Sequence, residues 1–382
     1  MTDNIFNLIE EEFVHRKCAH VDIYPRHFAC SLGAHIFNLV NQETEVLVQS
    51  SIPVDLRQHI MFVAPPGFSK TFWMEQFVRG TWSILHETGI QHGFEGSTTE
   101  AGFVGSATLV DGEPVITAGL AKIYEWGICA FEEFSALTAM MRSHHSRQLD
   151  AALLLALDKG YVVKRLRAGR IGYKTNVSVW CGTQPARFDL TSGLGRRFYY
   201  LLLIPNTKDR ELIRKKMREG WNVRMNRKRT DRIRRRISEL KDKLYDVRKV
   251  IKSPDLNALF DDLNVEPYEE PLFIRQVLGY WIINEEFDEI LNLKLNDTLI
   301  DMLWQEAEWR HAIRRGPEIA EVFEILNSHD GKMDLLAFKD EMLRFGVDWR
   351  RSSELTEELK RMRVIVLGES TIMLKPRWRR PK

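Results

Sequence analysis

The chain is 382 residues long, 44% hydrophobic and 28% charged, an ordinary globular composition with enough chain for two or three cores. No run approaches the roughly 18 to 20 apolar residues of a membrane span, and the four cysteines (Cys18, Cys30, Cys129, Cys181) are too scattered for a disulfide framework or a zinc knuckle. The net charge of +2 points to no partner by itself, and the acidic, helical start MTDNIFNLIEEEF is not signal-like, so a cytoplasmic protein without membrane contact is expected.

Residues 1–50 read as two helical stretches, the second around FACSLGAHIFNLVNQ. The strand-like run IMFVA then enters APPGFSKT, and FWMEQFVRGTWSILHE follows as a helix. A phosphate loop works by aiming backbone N–H groups and a helix N-terminus at anionic oxygens. Here Gly67 supplies the tight turn, Pro65 and Pro66 stiffen it, and Lys70 is placed to neutralise phosphate charge. The Thr71 hydroxyl is placed to reach Mg²⁺. Against G-x-x-x-x-G-K-[ST], Ala64 and Ser69 stand where glycines are usual, with Phe68 between Gly67 and Ser69. By itself this stretch is equally a plain strand–turn–helix.

The next segment is rich in Gly, Ser and Thr, with a hairpin signal at Asp111-Gly112. GICAFEEF is an apolar strand ending in Glu132 and Glu133, roughly sixty residues after the loop. Carboxylates at a strand end serve ATP hydrolysis by holding the Mg²⁺ water shell and polarising the attacking water. A helix, RQLDAALLLALDKG, precedes two strand-like arms turning at Ala168-Gly169, and VSVWCGTQP ends in Thr183-Gln184. The arginines of LTSGLGRRF, Arg196 and Arg197, follow a glycine-rich turn. Strands alternating with helices predict an α/β core over residues 51–207.

Between Lys208 and Lys252 the chain holds 19 Lys/Arg against 7 Asp/Glu. Ile233, Ile237, Leu240, Leu244, Val247 and Ile251 step through it as a heptad stripe, which predicts a basic helical arm with one apolar seam. Residues 268–315 read as a helical lid. Helices around 318–328, 334–345 and 353–363 precede a hairpin turning at Gly368-Glu369, which together predict a winged helix-turn-helix in 316–382 with a basic tail.

These motifs, in this order and spacing, resemble the MCM branch of the AAA+ ATPases, the replicative helicases of archaea and eukaryotes. That family's loop, G-D-P-G-x-[AS]-K-[ST], fits APPGFSKT with only Ala64 departing, and its G-I-x-x-I-D-E-F fits GICAFEEF with Glu132 in place of Asp. The resemblance implies Glu133 as the catalytic glutamate, Gln184 in the place of the sensor Asn, Arg197 as the arginine finger and Arg275 of LFIRQVLGYW as the sensor-2 arginine. It implies Lys70, Thr71, Glu132, Glu133 and Gln184 from one subunit completed by Arg197 and Arg275 from the next. It further implies a helix-2 insert over STTEAGFVGSATLVDGEPVITAGLAKIYEWG and a pre-sensor-1 hairpin over VVKRLRAGRIGYKTN, whose Lys164, Arg165, Arg167 and Arg170 would grip single-stranded DNA by charge. The family's N-terminal OB-fold and zinc site have no counterpart in the first 50 residues.

The expectation is therefore a pared-down, ring-forming motor, a hexamer by resemblance, that uses ATP and Mg²⁺ to translocate on and unwind DNA in replication, with a loader as a further partner. The winged helix serves either DNA, through SSELTEELKRMR and KPRWRRPK, or a docking protein. An AAA+ protein remodeller of MoxR-like type and a weakly active DNA-binding scaffold are the alternatives.

Overall fold

The computed structural model describes residues 4–44, 46–96, 98–111, 113–133, 147–166, 169–184, 195–205, 207–219, 226–314, 316–361 and 364–375. Two helices open the chain, α1 (Ile5–His15) and α2 (Tyr24–Glu43), followed by a two-residue strand β1 (Leu47–Val48). The central region runs β2 (His59–Val63), α3 (Lys70–Val78), β3 (Gln91–Glu95), α4 (Glu100–Val104), β4 (Gly105–Val110), β5 (Glu113–Ala118), α5 (Leu120–Ile123) and β6 (Gly127–Phe131). It continues with α6 (Arg147–Lys159), β7 (Tyr161–Leu166), β8 (Gly169–Lys174), β9 (Ser178–Thr183) and β10 (Phe198–Leu202). After it come α7 (Thr207–Arg218), α8 (Arg227–Leu244), β11 (Lys249–Lys252), α9 (Asp255–Asp262), α10 (Glu270–Ile283), β12 (Ile290–Leu293) and α11 (Asp297–Arg314). The last unit is α12 (Pro317–Ser328), β13 (Lys332–Asp334), α13 (Leu335–Arg344), α14 (Trp349–Arg361), β14 (Ile365–Leu367) and β15 (Thr371–Leu374).

Five parallel strands form the central sheet in the order β10-β2-β9-β6-β3. HIMFV, GICAF, SVWCGT and FYYLL are buried at every position, the signature of strands covered on both faces. Side chains alternate between two cores. Ile60, Phe62, Ala130, Trp180, Tyr199 and Leu201 join the helical body made by α1, α2, α3, α8 and α10. Met61, Val63, Cys129, Phe131, Cys181 and Tyr200 join a second core with α6 and the hairpins. The β10 edge is covered: Glu306 accepts the Tyr200 N–H at 3.2 Å, and Arg310 Nη2 donates to Phe198 O at 3.0 Å. This is a mixed α/β fold on a parallel sheet, and among the described residues no helix is long and apolar enough to cross a membrane.

Several expectations need correction. The helix after the loop stops at Val78, because Arg79 turns extended and Gly80 adopts a left-handed φ of 74°. The basic arm does not project. Ile233, Ile237, Leu240 and Leu244 are wholly buried among α1 and α2, Val247 lies in the turn, and Ile251 belongs to β11. The heptad spacing thus spans helix, turn and strand, and the two N-terminal helices supply the seam's partner. Much of the basic surface pairs within the fold: Arg229 with Glu11 and Glu12, Arg236 and Lys243 with Glu285, Lys241 with Glu43. The predicted lid helix α10 is locked against α2 by a glycine crossing. A Cβ on Gly33 would stand 2.5 Å from Gly279 O, and one on Gly279 would stand 1.8 Å from Cys30 O. No side chain fits at either, because the clash is with backbone.

Short strands without a sequence signal build a second parallel sheet, β1-β11-β12. At the C-terminus three helices pack on an antiparallel sheet, β13-β15-β14, around Val322, Leu326, Phe338, Met342, Leu355, Leu359 and Ile372. The hairpin turns at 368–369 as expected, with Gly368 N donating to Thr371 O. Strand β13 is additional. Most of the basic tail, 376–382, lies outside the described residues.

Candidate nucleotide site

Insertion of β9 between β2 and β6 brings the carboxyl ends of three strands side by side, with the crossover that makes such ends a natural ligand crevice. Beyond β2 the ladder runs one residue further, Ala64 N donating to Thr183 O at 3.2 Å. The chain then turns through Gly67 (φ 78°) and Ser69 (φ 57°), both left-handed, before α3 starts at Lys70. A left-handed serine is uncommon and marks a backbone held by its surroundings. Beside Gly67 the space is open, with nothing among the described residues within 4 Å of where a Cβ would stand. Pro66 faces the C-terminal unit, its Cδ 3.6 Å from the Cβ position of Gly346.

Lys70 curls back over the loop, its Nζ donating to Ala64 O at 2.7 Å and Pro65 O at 2.9 Å. It is 8% exposed. Burial pulls its pKa down to about 8, while the Glu133 and Glu132 carboxylates work to raise it. Gly182 of β9 lets these groups converge: a Cβ there would lie 2.7 Å from Glu132 O and 3.5 Å from Lys70 Cβ. Sequence reasoning passed over Gly182, although a glycine inside a buried strand is a signal of close approach. Glu132 is exposed and its N–H donates to Glu95 O, while Glu133 and Thr71 are half-buried. Gln184 Nε2 donates to Glu133 Oε2 at 3.4 Å. The Thr183 hydroxyl is buried here without a hydrogen-bond partner among the described residues.

A second missed residue is Arg210. Its guanidinium lies 5.4 Å over the Phe68 ring, its Nε donates to Pro205 O, and its Nη2 is 3.5 Å from Glu321 and 3.8 Å from Glu341. The loop after β2 and the C-terminal unit therefore share one side chain.

Arg197 and Arg275 do not join this group within the chain. Arg197 precedes β10 and Arg275 reaches the turn before β2, so both belong to the amino ends of parallel strands, at the end of the sheet opposite the loop. Arg197 Nε donates to both Asp158 carboxylate oxygens at 2.9 Å. Arg275 Nε donates to Asp55 O at 2.8 Å. In the β7–β8 hairpin Arg165 and Arg170 are opposed in register, and Lys164 is paired with Ile171. Arg170 is exposed and Lys164 half-buried, and Arg167 lies outside the described residues.

No family model matches this chain, and no curated protein matches it. The site is therefore read from its own geometry.

That geometry fits a magnesium nucleotide. The loop offers amides, the start of a nine-residue helix and a lysine whose hydrogen-bond partners among the described residues are loop carbonyls. Thr71 and Glu132 would be the oxygen donors for a Mg²⁺, an ion that takes few protein ligands. A polyphosphate favours the charged lysine, so bound Lys70 holds its proton to higher pH than free Lys70. Nucleotide affinity should be flat below about pH 8 and should then weaken, approaching tenfold per unit, as the free lysine deprotonates. Dissociation constants for ADP from pH 7 to 9.5 check this, and Lys70→Ala should remove the slope.

Proposed function

We propose that the chain is an ATP hydrolase of the AAA+ class and MCM type, working as a head-to-tail ring on DNA. The observation that carries this is the division of the candidate groups. Lys70, Glu132, Glu133 and Gln184 gather at the carboxyl ends of three adjacent strands, while Arg197 and Arg275 lie at the opposite end of the sheet. A head-to-tail, heterologous contact repeated around a ring brings such an end to the neighbour's loop. Six subunits are expected from the family resemblance.

In this reading Lys70 exchanges its two loop carbonyls for phosphate oxygens. Glu133 accepts the proton of the attacking water, and Gln184 holds the carboxylate at its Oε2. A Mg²⁺ held by Thr71 and Glu132 would supply charge neutralisation. Arg197 of one subunit meets charge developing on the nucleotide of the next. Arg165, Arg167 and Arg170, with Lys164, are the candidates for sequence-independent contact with the DNA backbone.

A specific observation favours a second reading. The β4–β5 hairpin exposes Leu109, Val110, Val115 and Ile116 and contains no Lys or Arg. An apolar ribbon suits a polypeptide better than phosphates, as in an AAA+ protein remodeller. Steady-state ATP hydrolysis with and without single-stranded DNA separates the two. Several-fold stimulation by DNA is expected for the motor. DNA-independent hydrolysis stimulated by an unfolded polypeptide would establish the remodeller instead.

A further inference from the structure

We infer that Asp158 is a positioning residue that aims Arg197 at the neighbouring subunit's nucleotide, an assignment that rests on the shared-site reading above. Asp158 sits in the last turn of α6, where a carboxylate opposes the helix dipole. Helix stability does not account for an acid there. Arg197 does: its Nε donates to both Asp158 oxygens at 2.9 Å, and its Nη2 donates to Oδ2 as well. This bidentate geometry fixes the plane of the guanidinium and not only its distance.

The end of α6 is itself anchored. Arg57, 1% exposed, donates from Nη1 to Ala156 O at 3.0 Å and from Nη2 to Leu157 O at 2.9 Å. His59 accepts the Val179 N–H at Nδ1, so its Nε2 carries the proton donated to Leu157 O at 3.1 Å. Burial holds that imidazole neutral, its pKa pulled down to about 3. Gly160, at a left-handed φ of 65°, ends the helix.

The same frame carries the other candidate arginine. Asp55 pairs with Arg57 at 2.6 Å, and Arg275 donates to Asp55 O. Arg197 and Arg275 are thus fixed to one rigid corner through α6, Arg57 and the turn before β2. At 25% and 35% side-chain exposure, Arg197 and Asp158 are accessible to an incoming anion. Docking of the neighbour's phosphate replaces part of the Asp158 hydrogen bonding. Asp158 sets the direction from which Arg197 makes that exchange.

The test uses the full chain and 1:1 mixtures of variants. Asp158→Asn keeps the shape and removes the charge; Asp158→Glu is the second variant, for use if the first does not fold. Turnover is expected to fall roughly 10- to 100-fold from misaligned Arg197, with ADP affinity and melting temperature unchanged. Mixing Asp158→Asn with Lys70→Ala should restore hydrolysis, since each supplies the face the other lacks. Mixing it with Arg197→Ala should restore nothing, since both damage the same face. Restoration with Arg197→Ala, unchanged turnover, or a loss that follows melting temperature would overturn the assignment. The Lys70→Ala plus Arg197→Ala mixture is the control: if it stays dead, the shared-site reading fails first, and the role of Asp158 fails with it.

Discussion

Glu133→Gln is expected to lower ATP turnover by about 10²- to 10⁴-fold, the range typical of a positioned general base, while nucleotide still binds. Glutamine matches the carboxylate in shape and keeps an oxygen for Gln184 Nε2, now 3.4 Å from Oε2. What it loses is the capacity to take a proton from water. Binding should hold or tighten, because one negative charge beside the phosphates is gone. The free lysine should also deprotonate at lower pH, since the Glu133 charge now helps to keep Lys70 protonated. Phosphate release and ADP or ATP dissociation constants, measured on the same preparation, separate the two effects. A variant that binds normally and hydrolyses at the wild-type rate would remove Glu133 from the chemistry and leave Glu132 as the remaining acid to test.

Arg197→Ala should cost more, about 10³- to 10⁵-fold in turnover if it supplies the charge that stabilises the transition state. The distinctive expectation is recovery on mixing. Arg197→Ala subunits keep an intact loop, and Lys70→Ala subunits keep an intact arginine face. In a random 1:1 ring of independent junctions, about a quarter join the two intact halves, so about a quarter of wild-type turnover should return. An enzyme with all its groups in one subunit cannot recover in this way. Hydrolysis by a monomeric fraction at the wild-type specific rate would contradict the ring directly, and light scattering on the same sample reports its size.

Much of the central core is legible in the amino-acid sequence, because the cues are local. IMFVA, GICAF and VSVWCGT are short apolar runs that suit strands buried on both faces, and helices between them favour parallel pairing, whereas FYYLL, the edge strand, is not among the predicted strands. Loop chemistry is local too: Pro65, Pro66, Gly67 and Lys70 are neighbours, as are Glu132 and Glu133. Period-based reading failed where one pattern suits two environments. The heptad stripe after Ile233 looks the same on a free arm and on a helix packed into the body, and only α1 and α2, about two hundred residues earlier, decide between them.

Sequence by itself determined the strand–turn–helix around Gly67 and Lys70, the acid pair that follows it and the alternation of strands and helices, since each depends on residues close together in the chain. Tertiary structure alone decided what distant segments do to one another. It set Gly182 beneath Lys70, Gly33 against Gly279, and Arg210 between Phe68 and Glu321. It also placed Arg197 and Arg275 at the end of the sheet away from Lys70, because parallel strands send all their carboxyl ends one way and all their amino ends the other.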